Sequence, residues 1–132
     1  MATTNASISI SSSDMIPGMA MNYYKTATLH KAGKCKGLEK IQSASKEYTS
    51  TSTVELLDES VVTESGANKL YIKNLSTDTT EYFTVYIQSE ELGRLYAGDW
   101  MFIPWSAGSS NNVQVAPSVA SSMKLEYVLL HE

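Results

Sequence analysis

The chain has 132 residues and a formal net charge of −4, with 42% hydrophobic and 18% charged residues. That length suits one domain around one core, and the apolar content is too high for disorder throughout. The acidic balance argues against wholesale nucleic-acid binding. One cysteine excludes an internal disulfide framework, no apolar run is long enough for a membrane-spanning helix, and the N-terminus lacks the basic start and apolar stretch of a signal peptide.

Ser and Thr supply 31 residues, and eight Tyr stand against two Phe. Thr and Tyr favour strands, and Ser favours turns and caps, so the composition leans toward β structure. Charge is uneven. Residues 1–46 hold six lysines against Asp14 and Glu39, about +4, and residues 47–132 hold four basic against twelve acidic residues, −8. Such a chain could pack head to tail with its own copies or set its basic segment on an acidic shell. Plain solubility is the simpler reading.

Residues 1–22 are rich in Thr, Ser and Asn, then in Met, with Met15, Met19 and Met21 around Ile16-Pro17-Gly18. Ile8 and Ile10 alternate with Ser, and there is no helical period. This segment is expected to be an extended arm, ordered by a neighbouring subunit with Met side chains filling irregular contacts. Tyr23 to His30 reads as a strand with Tyr23, Lys25, Ala27 and Leu29 on one side, and residues 31–45 read as a loop. Tyr48 to Leu57 reads as one long strand, and Ser65-Gly66-Ala67-Asn68 as a turn.

The second half is more regular. Strands are expected over Lys69–Asn74, Tyr82–Gln88, Glu91–Leu95, Trp100–Trp105, a short piece around Val113 and Val115 ending at Pro117, and Met123–Leu130. About eight strands with frequent turns and no convincing helix predict an all-β fold, a single β-sandwich or jelly-roll-like domain over 23–132 with the extended N-terminal arm 1–22. Trp100–Trp105 is apolar on both faces, with Trp100 and Phe102 on one side and Met101, Ile103 and Trp105 on the other. Either both faces are covered within the fold or one is an interface, and Pro104 puts the strand's end at an edge or bulge.

Residues for chemistry are scarce. His30 and His131 are far apart and share no metal-ligand spacing with Cys35 or a carboxylate. No Gly-x-Ser-x-Gly elbow is present. Cys35 lies between Lys34 and Lys36, which would lower its pKa, but an incidental loop cysteine is the plainer reading. Asp58-Glu59 and Glu90-Glu91 are neighbours that point to different sides in extended backbone, and Gly33–Gly37 lacks the P-loop pattern. No catalytic residue, cofactor or metal site is expected. Tyr71, Tyr82, Tyr86, Tyr96, Trp100 and Trp105 would serve either as a sugar-stacking platform or as protein-interface anchors, with the second preferred.

One stretch goes beyond pattern reading. Leu70-Tyr71-Ile72-Lys73-Asn74 is followed by Glu81-Tyr82-Phe83-Thr84-Val85, then by Leu92-Gly93-Arg94-Leu95-Tyr96-Ala97-Gly98-Asp99-Trp100 running into Ile103-Pro104, and the chain closes with Met123–Leu129. Over roughly 69–130 this frame resembles small virion structural proteins of tailed bacteriophages, particularly those of cyanobacteria. The resemblance implies a capsid- or tail-associated role in the virion, synthesis in a bacterial cytoplasm, and no active-site residues. The expectation is a non-enzymatic capsid decoration or cement protein, a homo-oligomer in the virion that contacts its own copies and the major capsid protein, without nucleic acid, membrane or cofactor. The alternative is a tail component (tube, adaptor, fibre or receptor-binding subunit) among neighbouring tail proteins. A glycan-active enzyme is a third class, kept only because β folds host such enzymes. Expected interface residues are Met15, Ile16, Met19, Met21, Tyr96, Trp100, Phe102 and Trp105.

Overall fold

A computed structural model describes residues 3–30, 38, 40–62, 66–108 and 110–132, apart from the side chain of Ile16. Cys35 and the loop 31–37, and Ser65 of the expected turn, lie outside the described residues. Ten strands and one 3-10 turn are described: β1 (Thr4–Ile16), β2 (Met19–Leu29), β3 (Lys40–Tyr48), β4 (Val54–Leu57), the 3-10 turn Glu59–Val61, β5 (Lys69–Asn74), β6 (Tyr82–Ile87), β7 (Glu90–Tyr96), β8 (Trp100–Pro104), β9 (Val113–Pro117) and β10 (Met123–His131).

The body is a two-sheet sandwich. One sheet has the order β3-β10-β5-β8 and the other β4-β9-β6-β7, and every pairing is antiparallel. With β3 counted as first and β10 as eighth, the sheets read 1-8-3-6 and 2-7-4-5. Every connection within the body crosses between sheets except β6–β7, so the chain wraps as a jelly roll. Alternation in the sequence drives this. Leu70 and Ile72 of β5 and Met123, Leu125 and Leu129 of β10 point inward against Phe83 and Val85 of β6 and Val113 and Val115 of β9, none more than 1% exposed.

Three expectations change. The division into an arm 1–22 and a sandwich 23–132 falls inside β2, so Tyr23–Leu29 belongs to the separate two-stranded β1–β2 hairpin and not to the sandwich. Residues 40–48 form β3 rather than a loop. Its inward positions are Gln42, Ala44, Lys46 and Tyr48, so no apolar alternation marks it, and it is held by its full-length pairing with β10. Tyr48 to Leu57 is not one strand. The run Thr49–Thr53 breaks it, with the Ser52 N–H and the Ser50 hydroxyl bonded at 3.2 Å, and β3 and β4 go to different sheets.

A buried corner joins the sheets. Asn74, at the end of β5, is 0% exposed. Its side-chain Nδ2 donates to the Leu95 carbonyl of β7 at 2.9 Å, and its Oδ1 accepts from the Ser76 N–H at 2.9 Å. Its carbonyl accepts from the Gly98 N–H at 3.1 Å, and its own N–H donates to the Asp99 carbonyl at 3.0 Å. The Tyr96–Asp99 turn is closed by Asp99 N–H donating to the Tyr96 carbonyl, and the Asp99 carboxylate accepts from the Tyr96 N–H at 3.0 Å. Gly98 has φ +81°, and a Cβ there would meet nothing within 4 Å. The Asn and Gly-Asp positions of the sequence frame are thus parts of one structural corner.

Asn74→Ala removes the side-chain bonds to the Leu95 carbonyl and the Ser76 N–H and is expected to cost about 1–3 kcal/mol in urea unfolding. Gly98→Ala is expected to cost about 1–2 kcal/mol from backbone strain alone, and Gly98→Asn less. A wild-type midpoint for Asn74→Ala would remove the corner's role.

Candidate functional site

The hairpin β1–β2 stands apart from the two sheets. Pro17-Gly18 makes its turn: Pro favours the first central position, and Gly18 takes φ +79°, the pattern of a type II turn. Pairing runs from Thr4↔Leu29 to Ser12↔Met21 and resumes at Ile16↔Met19. Across the irregular step the Ser12 hydroxyl accepts the Met15 N–H at 3.1 Å.

The register makes the hairpin amphipathic. Ala6, Ile8 and Ile10 share one face with Met21, Tyr23, Lys25, Ala27 and Leu29, and Asn5, Ser7, Ser9 and Ser11 share the other with Asn22, Tyr24, Thr26 and Thr28. Cover on the apolar face fades toward the tip. Leu29 is 6% exposed and Ile8 half-buried, but Ile10 is 45% and Met19 63% exposed, and beyond the irregular step Met15, next to the Ile16 that pairs with Met19, is 67% exposed. At the base, Thr4 Oγ1 donates to the carbonyl of buried Leu38 at 3.2 Å.

The covered half of the hairpin faces the outer side of β5 and β8. Between them lies a cleft of about 870 Å³, with Ile8, Lys25 and Leu29 on the hairpin side and Tyr71, Lys73, Trp100 and Phe102 on the sheet side. Tyr71 pairs with Phe102 and Lys73 with Trp100 across the ladder, and the Tyr71 and Trp100 rings lie 6.2 Å apart. The Tyr71 hydroxyl donates to Glu126 Oε1 at 3.4 Å, and burial together with that carboxylate raises its pKa.

The expected interface residues do not form one surface. Met15 and Met19 are at the exposed tip, Met21 is half-buried, and Ile16 closes the ladder opposite Met19. Trp100 and Phe102 line the cleft, 46% and 38% exposed. Tyr96 is on the other sheet, its ring 5.2 Å from Tyr82, beside the Arg94 guanidinium that stacks on Tyr82 at 4.7 Å. The Ala97-Gly98-Asp99 corner carries the chain between sheets, so Tyr96 and Trp100 look opposite ways.

Trp105 is a correction. It is 2% exposed within the core cluster, and its indole N–H donates to the Asn111 carbonyl at 2.8 Å. Met101, Ile103 and Trp105 continue one alternating side of β8 inward, and Trp100 and Phe102 form the side left to solvent. The six aromatics considered as a sugar platform are accordingly divided between two outer faces and the core. Sequence reasoning named Tyr71 among the candidate surface aromatics but missed Lys73 and the pairing of both with β8, which exists only in three dimensions. Ile8, Ile10 and the Tyr23–Leu29 side were legible as alternation.

Polar groups of β3 also reach toward the interior. Lys46 Nζ donates to the Leu56 carbonyl at 3.0 Å and lies 5.7 Å over the Tyr127 ring. Tyr48, edge-on to Phe83 at 5.7 Å, has a buried hydroxyl without a partner. Burial, with a smaller contribution from Tyr127, pushes its pKa up to about 12. Among the described residues no group of His, Cys, Asp and Glu is placed to hold a metal ion. These contacts brace β3 against β4.

Trp105→Ala is expected to cost about 3–5 kcal/mol in denaturant unfolding, whereas Trp100→Ala and Phe102→Ala should stay within about 0.5–1 kcal/mol of wild type. An unchanged midpoint for Trp105→Ala would contradict its place in the core. Because burial holds folded Tyr48 protonated up to about pH 12 while the unfolded chain loses that proton from about pH 10, the group leaves stability unchanged below pH 10 and lowers it as pH rises from there through about 12. Stability should therefore fall less steeply above pH 10 in Tyr48→Phe, and at pH 7 that variant should match or exceed wild type; ultraviolet titration with melting curves checks both.

No family model matches the chain, and no curated protein matches it. Among solved structures it is similar to the cupin domain of Schizosaccharomyces pombe Cnp3, at 12% identity and a TM-score of 0.43, over 98% of this chain and 84% of that one.

Proposed function

We propose that the chain is a structural subunit of a tailed-bacteriophage particle, a decoration or cement protein held on the head by protein–protein contacts. One observation carries the reading: the amphipathic hairpin continues past the body with its apolar face uncovered. A two-stranded hairpin is marginal in water by itself, and an exposed apolar face is what a partner surface covers. Sequence resemblance over roughly 69–130 supports the same role.

The mechanism is mechanical. Before assembly the Ser/Thr side of the hairpin and the surface charges keep the chain in solution. On docking, the Met-rich tip fits an irregular neighbouring surface at low strain, because Met is flexible. Each contact is small, and many copies on one shell act together. The jelly-roll body, its strands buried on one face, resists local opening.

Co-sedimentation with empty phage heads tests this, using wild type and Met15→Ser/Met19→Ser. Wild type is expected in the pellet, and the variant, equally folded by circular dichroism, is expected to bind at least about tenfold more weakly. If neither pellets while both are folded, the head assignment fails and a tail position takes its place.

A further inference from the structure

The hairpin and the cleft are both incomplete, and on this chain they are different surfaces. The tip, Ser11 to Tyr24, carries large exposed side chains at Met15, Met19, Tyr23 and Tyr24 and a single charge, Asp14. The cleft is lined by apolar and aromatic groups and by two charges, Lys25 and Lys73. Among the described residues, neither lysine is in an ion pair. Glu126, opposite Lys73 on β10, accepts from the Tyr71 hydroxyl.

The tip cannot fill the cleft of its own chain. Ile8 and Ile10 already line that cleft from the hairpin side, and Met15 lies five residues beyond Ile10 along β1, about 17 Å away in extended backbone. Any tip in the cleft belongs to another molecule. A volume of about 870 Å³ has room for Met15 and Met19 together.

We infer that the cleft between the hairpin base and the β5–β8 face receives the hairpin tip of a second copy of this chain. Met15 and Met19 pack on Trp100 and Phe102, and Asp14 lies against Lys25 and Lys73. Charge matches in sign, and each apolar surface covers the other. The contact joins two unlike surfaces, so two chains exchange tips reciprocally or several pass them around a ring. The inference deepens the particle reading by naming a partner for the hairpin, and it rests on that reading's uncovered apolar face.

Sedimentation velocity of the full chain, at low and physiological salt and without phage heads, tests it. Wild type is expected to self-associate, and Met15→Ser/Met19→Ser to weaken association about a hundredfold. Asp14→Lys alone and Lys25→Glu/Lys73→Glu alone should each weaken it about fivefold or more at low salt. Mixing those two charge variants gives the reversed tip a reversed cleft, and association between them should return. All these positions are surface or cleft residues, and matched melting curves confirm folding. Monomer at every concentration, association indifferent to the tip, or a mixture as weak as its parts would each overturn the inference. A monomer that still binds heads overturns it alone, and a self-associating chain that ignores heads overturns the head assignment alone.

Discussion

The amide of Asn74 ties the two sheets together with directional bonds as well as packing. It sits at the end of β5 in one sheet and donates to a carbonyl of β7 in the other, and its backbone holds both sides of the turn into β8. A buried amide that lost one of these partners would carry the whole desolvation cost, so the arrangement has little freedom. With the corner held, β8 leaves it in one register, Met101 and Ile103 inward and Trp100 and Phe102 outward. Both the core contribution of Trp105 and the aromatic wall of the cleft follow from that register.

The hairpin is the complement of that wall. Its base is covered by the body and its tip is not, although the same alternating face runs through both. Hydrophobic burial at the base, around Leu29 and Ile8, offsets the ordering of the first few pairs. Toward the tip only the ladder and local bonds such as Ser12 to Met15 remain. Stability must therefore decline along the hairpin, and a partner that covers the tip would gain both apolar area and strand order.

A jelly roll hosts unrelated activities, so the wrapping order does not argue for any of them. The surfaces are more informative. One outer face carries an apolar cleft lipped by the hairpin, and the opposite sheet carries Tyr82, Tyr96 and Arg94 stacked on one another. Stacking of that kind satisfies those groups internally. The cleft, by contrast, combines unfilled volume with uncovered aromatic area at Trp100 and Phe102.

Strands with one apolar face were legible from sequence because their side chains alternate: β5, β6, β9 and β10 begin or end within a residue or two of where the alternation places them, and β8 was marked by its apolar run instead. β3 was not, since its inward positions are Gln42, Ala44, Lys46 and Tyr48, and neither was the break at Thr49–Thr53, where Ser and Thr suit strand and turn alike. The sequence by itself determined the all-β class, the amphipathic sides of the hairpin strands and the two-sided character of Trp100–Trp105. Which side of that segment became core, and whether Tyr96 and Trp100 share a surface, only the tertiary structure decided. Period-2 alternation says that two faces differ but not which neighbour each meets, and a single corner at Asn74 and Gly98 assigns them to different sheets.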